Sequence, residues 1–299
     1  MLRELAQICA QSGNTETHVV TPTQKDLGEE LDWIMLSALP VVARMIPGDG
    51  VELELFEVGP EPSVLFVHGA CCQAIAWHPL MIALAEMGVS SAALNLRGHG
   101  GSTGIKDLQR YRHEHYVQDV LDALRYLARP VTLVGHSMGG RICHLVVTRA
   151  NVHRLVLMSP CPLQGMLRDG FRMFLRHPYT FVVSKFRGSP VRLYRNARVR
   201  RSLLFHRATA EAVIEQARDG LVEESAGAVD QMLTRLSADA ACPCPVTVIG
   251  ASQDFMVSPT SIEATARAYG VRPVFLDGSG HMLQSEIPPT KLAAILRSL

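Results

Sequence analysis

A serine lies between two glycines in Gly135-His136-Ser137-Met138-Gly139. It follows Val131-Thr132-Leu133-Val134, a short run of apolar and β-branched residues that reads as a buried strand. From Met138 to about Ala150 the pattern reads as a helix. A strand that turns straight into a helix brings two backbones close together, so only residues without a large side chain fit two before and two after the turn. The residue at the apex is held in a strained conformation, which lifts its side chain clear of the sheet edge. A serine placed there could act as a nucleophile. Its hydroxyl is weak alone and needs a base to take the proton and a third group to orient the base. The helix behind it brings free N–H groups and a positive dipole end. The alternative is an ordinary strand-helix turn with a surface serine, and the rest of the chain must decide.

The elements that would position these groups alternate. Val41 to Ile46 and Val51 to Glu57 read as strands around an Asp49-Gly50 hairpin turn. The second alternates apolar and acidic residues, the pattern of a half-exposed antiparallel edge strand. Val64 to Val67 is fully apolar and reads as a central strand ending in His68-Gly69-Ala70. A helix follows from about Ile75 to Met87, then a strand from Ser90 to Leu96, the loop Arg97-Gly98-His99-Gly100-Gly101-Ser102, and an amphipathic helix from Glu114 to Ala128. After the serine turn come a strand at Val152 to Met158, then strands at Pro245 to Gly250 and Arg272 to Leu276, and helices at Pro259 to Tyr269 and Pro289 to Leu299. Strand and helix alternating with short links mean a mostly parallel sheet with helices on both faces. Ligands then sit beyond the carboxyl ends of the strands. Two of those ends carry chemistry: Ala251-Ser252-Gln253-Asp254, and Asp277-Gly278-Ser279-Gly280-His281.

The Gly-x-Ser-x-Gly turn, with its strand before and helix after, resembles the nucleophile elbow of the α/β-hydrolase family. The resemblance covers about residues 41–160 and 245–299. It implies a mostly parallel sheet of the eight-stranded type flanked by helices, with an inserted helical cap, and an order of serine, acid, histidine along the chain. It therefore implies Ser137 as nucleophile, His281 as general base and later acid, and Asp254 as the orienting carboxylate. Asp277 is a rival for the acid, but it lies on the same loop as His281. The resemblance also implies an oxyanion hole from the backbone N–H groups of Met138 and Ala70, with Cys71 the substitute for Ala70. His68 and the loop around His99 resemble loop-shaping features. Relatives that open epoxides or remove halogens carry Asp at the elbow, where this chain has Ser137.

The activity so implied is hydrolysis of carboxylic esters with apolar acyl groups through an acyl-enzyme. Alternatives are a thioesterase on carrier- or coenzyme A-bound acyl chains, a perhydrolase or carbon–carbon bond hydrolase using the same three residues, and a non-catalytic binding member. No dinucleotide or phosphate-loop fingerprint implies a cofactor. His113-Glu114-His115 lacks metal-ligand spacing and reads as a solvated helix start.

Residues 161–240 carry helical patterns without a convincing strand and read as the cap between core segments 40–160 and 241–299. Residues 1–39 read as a helical extension: Leu2, Leu5 and Ile8, then Leu31, Ile34, Met35 and Leu39, recur at helical spacing around a polar, turn-rich stretch from Gly13 to Gly28. The first half of the cap is basic, from Arg168 to Arg207 with only Asp169 acidic, and the stretch from Glu211 to Asp239 inverts this. The two halves could pair with each other and with water. A basic rim would instead suit an acidic carrier protein, a coenzyme A thioester or an anionic lipid surface. Net charge of +1 over 299 residues gives no global field for nucleic acid. Seven cysteines without CxxC spacing read as mostly buried thiols, and no secretory signal is visible, so a cytoplasmic protein is expected.

Overall fold

Val64–Val67, apolar at every position, forms β4 at the centre of a sheet. The computed structural model describes residues 18–20, 40–236 and 242–299. The other strands are β1 (His18–Val20), β2 (Val41–Pro47), β3 (Glu52–Val58), β5 (Ser91–Leu94), β6 (Thr132–His136), β7 (Arg154–Met158), β8 (Val246–Ala251) and β9 (Val274–Leu276). Their order is β1-β2-β3-β5-β4-β6-β7-β8-β9. The first three pairings along that order are antiparallel, and every pairing from β5 to β9 is parallel. The sheet is the expected mostly parallel one with a ninth strand: β1 lies within the stretch that reads as polar and turn-rich, and pairs with β2 at the antiparallel edge. The helices expected elsewhere in residues 1–39 lie outside the described residues.

Alternation along the strands divides the core. Leu65 and Val67 face one apolar cluster, and Val64 and Phe66 face the other. Helices α1 (His78–Glu86) and α12 (Pro289–Arg297) cover the second face. Helices α2 (His113–Leu127), α3 (Met138–Val147) and α10 (Pro259–Ala268) cover the first. The chain from Ile75 to Met87 is a short 3-10 turn, Ala74–Trp77, running into α1.

One strand differs from its sequence pattern. β3 is antiparallel as expected, but it is interior, between β2 and β5, and Leu53 to Phe56 are all buried. Glu54 tolerates this because its carboxylate accepts hydrogen bonds from Asn95 Nδ2 (2.6 Å) and the Gly101 N–H (2.8 Å).

Between β7 and β8 the described residues form helices only: α4 (Leu167–Arg176), α5 (Pro178–Phe186), α6 (Arg192–Arg195), α7 (Ala197–Leu204), α8 (Glu211–Asp219) and α9 (Ala226–Gln231). Asn196 caps α7 through its side-chain oxygen, which accepts from the N–H groups of Arg198 and Val199. The basic and acidic halves of this stretch do pair, through Lys185–Asp230, Arg200–Glu215 and Arg201–Glu211. A short α11 (Leu283–Glu286) follows the last strand. Among the described residues no helix is long and apolar enough to cross a membrane.

Candidate active site

The parallel register sets the site. Val67 pairs with Gly135, His136 with Met158, and Ala251 with Leu276, so five strands end along one edge of the sheet. The segments leaving that edge carry Ala70, Ser137, Asp254 and His281. Ser137 has φ 52° and ψ −118°, outside the regions a non-glycine residue ordinarily occupies. Its neighbours explain why two glycines are needed. A Cβ on Gly135 would lie 2.6 Å from the Gly139 carbonyl oxygen, and one on Gly139 would lie 2.5 Å from that of Val67. The turn is held by the Ser137 N–H donating to the Met158 carbonyl (3.1 Å) and by Cys161 N–H donating to Ser137 (2.9 Å).

The structure brings the three expected side chains into one chain of contacts. His281 Nε2 lies 3.0 Å from Ser137 Oγ, and His281 Nδ1 lies 2.8 Å from Asp254 Oδ2. The other Asp254 oxygen accepts the Val257 N–H at 2.9 Å, which fixes the carboxylate on the turn after β8. Asp254 and His281 are both buried. Asp277 is exposed, on the near side of the same loop. Between the two carboxylates it is Asp254 that meets the histidine.

The His281 loop is fixed from several sides. Ser279 Oγ donates to the Leu276 carbonyl (3.0 Å), Gly280 N–H to Glu286 (2.8 Å), and Met282 N–H to the Leu204 carbonyl (3.1 Å). His136, which the sequence did not single out, adds another contact: its Nε2 lies 2.9 Å from the His281 carbonyl oxygen. Burial, and then the neighbouring His281, hold the His136 pKa down at about 3. The neutral ring donates that bond and adds no positive charge beside His281.

Met138 opens α3, so its N–H has no intrahelical acceptor. Ala70 lines the same cavity as Ser137 and His281, whereas Cys71 is not on its wall. The cavity offers about 30 Å³ of free space. Its walls are largely thioether and aliphatic, from Met166, Leu204, Leu221, Met232, Met256 and Met282. Methionine is adaptable, and such a wall suits apolar groups of varied shape. Cys72 also borders it, but burial, and then Glu224, push its thiol up to about 12, so it stays protonated. Tyr194 and Leu221 border a second, larger pocket of about 310 Å³ as well.

A buried polar cluster backs the loop that carries Ala70. His68 accepts the Leu96 N–H at Nε2 (3.2 Å), and its Nδ1 lies 2.9 Å from the Gly69 carbonyl. Burial holds it neutral, at about 3. His99 behaves differently. Burial works against its charge, but Glu224 at 3.2 Å raises its pKa. Burial likewise works against the Glu224 carboxylate, and His99, Tyr116 Oη at 2.5 Å and the Ser225 N–H hold its pKa low. Glu224 comes from the helical stretch between β7 and β8, and sequence reasoning did not single it out. Beside it, the Val222 N–H donates to the Cys71 carbonyl at 3.0 Å. The His113-Glu114-His115 run is solvated only in part: His113 is buried against the core, while the exposed Glu114 pairs with Arg149 and the exposed His115 accepts the Arg112 N–H at Nδ1.

The family model described as "Alpha/beta hydrolase family" matches residues 64–295. The chain belongs to this family. Relatives in the family include a non-heme chloroperoxidase of Kitasatospora aureofaciens, 37% identical over 118 residues, which is 38% of this chain and 42% of that protein. A 2-(acetamidomethylene)succinate hydrolase of Mesorhizobium japonicum is 35% identical over 101 residues, 33% of this chain and 35% of that protein. The matched stretches thus span less than half the length of these curated relatives. The fold is shared over a longer span: an esterase of Exiguobacterium antarcticum superposes with a TM-score of 0.70 at 18% identity, covering 85% of this chain and 97% of that one.

Proposed function

We propose that the chain is a serine hydrolase that cleaves carboxylic esters with apolar acyl groups. The observation that carries this reading is the continuous contact from Ser137 Oγ through His281 to Asp254. His281 Nε2 takes the Ser137 proton as Oγ attacks the ester carbonyl carbon. Asp254 accepts the Nδ1–H and stabilises the imidazolium that forms. The N–H groups of Met138 and Ala70 receive the developing oxyanion. His281 then gives its proton to the leaving alcohol as the carbon–oxygen bond breaks. Water, deprotonated by the same nitrogen, releases the acid and restores Ser137.

In this reading residues 40–160 and 241–299 form the catalytic core and 161–240 a cap over it. The inner cavity is smaller than an ester substrate needs. The side chains of Tyr194 and Leu221 therefore part on binding and join it to the 310 Å³ pocket beyond them. That outer pocket is also bordered by two cations and two carboxylates: Arg218 pairs with Asp219, Glu223 accepts from Ser189 Oγ, and Arg195 is exposed without an ion-pair partner among the described residues. This favours a second reading, a thioesterase whose leaving group carries negative charge.

The test pairs a fluorophosphonate label with matched ester and thioester series. Wild type should be labelled and Ser137→Ala should not. The series with the higher kcat/KM then chooses between the two readings. Labelling and turnover that survive in Ser137→Ala would overturn both.

A further inference from the structure

Exposed large apolar side chains gather on α4 and α5. Leu167, Phe171 and Leu175 recur every fourth residue and so share one face of α4. Tyr179, Val182 and Phe186 follow at spacings of three and four and share one face of α5. Phe186 is 91% exposed, Tyr179 81% and Leu167 68%. Phe174 joins the helices, with ring centroids 6.3 Å from Phe171 and 5.9 Å from Phe181. Single exposed apolar residues are ordinary on a protein surface, whereas a contiguous group marks an interaction site.

The charges around this ridge are mostly positive, with Lys185 paired to Asp230 at its edge. The two helices and their flank carry Arg168, Arg172, Arg176, Lys185 and Arg187 against Asp169. Asp169 does not face outward. It is buried, bound by Arg172 at 3.0 Å and by Ser261 Oγ at 2.6 Å. Arg168 and Arg187 are exposed and have no ion-pair partner among the described residues. A second copy of the chain on this face would set these cations against one another. An amphipathic surface with aromatic and aliphatic groups on its ridge and arginine or lysine beside it matches the boundary between lipid headgroups and acyl chains.

We infer that α4 and α5 dock on an anionic lipid surface, with the ridge entering the headgroup boundary and the cations meeting phosphate. Met166, the buried residue immediately before α4, lines the inner cavity, so α4 begins beside that cavity. The inference stands on this surface alone and not on the reaction assigned to Ser137.

Cosedimentation of the full chain with vesicles tests it. One set is phosphatidylcholine with phosphatidylserine in equal parts, the other phosphatidylcholine alone. The protein should partition onto the anionic set and leave it as salt rises. Replacing Phe171 and Phe186 together by Ser should weaken partitioning by at least about tenfold. Replacing Arg168 and Arg187 by Gln should weaken it by at least about fivefold. Fluorophosphonate labelling of these variants should equal wild type, which separates failure of docking from failure of the hydrolase reading. No partitioning of wild type, equal binding to both vesicle sets, or a dimer in light scattering that the Phe variants dissolve would overturn the inference.

Discussion

Three side chains from three strand ends meet because each belongs to a turn that backbone hydrogen bonds already fix. Ser137 sits on a strained turn, His281 on a loop tied at four points, and Asp254 on a carboxylate held by the Val257 N–H. Removing the carboxylate charge while keeping its shape tests the middle of the chain. Asp254→Asn should lower kcat about 10³- to 10⁴-fold, and Asp277→Asn should leave it within about twofold. Steady-state kinetics on one soluble ester compares the two, and a loss confined to Asp277→Asn would reverse the assignment. Ser137, His281 and Asp254 were legible in the sequence because each follows a recognisable strand. His136 was not, because its partner is the backbone of a loop 145 positions away.

At the scale of elements, the strand-helix turn is limited by backbone contact. Gly139→Ala would drive a methyl against the carbonyls of Val67 and His68, and should cost about 2 kcal/mol or more. Thermal unfolding should show a clear fall in Tm, and an unchanged Tm would mean that the turn is looser than described. The helical stretch is anchored by Glu224. Glu224→Ala leaves His99 and Tyr116 buried without their partner and should destabilise by about 3–5 kcal/mol, read by urea denaturation. The sequence order of strands and helices was readable because apolar runs and periodicity are local signals. The position of β3 was not. Val51 to Glu57 alternates as an edge strand would, yet Glu54 is buried by partners at Asn95 and Gly101, more than forty positions on. The short β1 was hidden for a similar reason: its pairing comes from β2, and His18–Val20 has no pattern of its own.

Across the whole molecule, buried histidines set the response to acid. His68 and His136 are held at about 3, below the ordinary 6.5, chiefly by burial. The unfolded chain therefore binds protons that the folded chain excludes. Their contribution to stability is fully present above pH 6.5 and is lost as pH falls toward about 3, by up to about 1.4 kcal/mol per pH unit for each ring. His99 acts the other way around, and Glu224 acts in the same direction as the two neutral rings but at lower pH. The raised His99 contributes below pH 6.5 and loses its effect as pH rises through its folded value, and the lowered Glu224 contributes above 4.5 and fades as pH falls. Between pH 6.5 and 5, Asp119, raised by burial to about 6, gains as pH falls, but His78, His113 and His144, held at about 4 by burial, lose together with His68 and His136, so the losses outnumber the gain. Tm measured by circular dichroism should fall steadily over that interval, and a flat profile would contradict the burial described for His68 and His136.

The most direct test of the central claim is to trap the covalent intermediate. The protein would be mixed with a chromogenic ester of an apolar acid, quenched in acid within the first turnovers, and analysed by intact mass and peptide fragmentation. The expected result is a mass increase equal to the acyl group minus one hydrogen, confined to the peptide bearing Ser137 and lost in Ser137→Ala. Turnover of the ester with the acyl group on another residue, or unchanged turnover by Ser137→Ala, would contradict it.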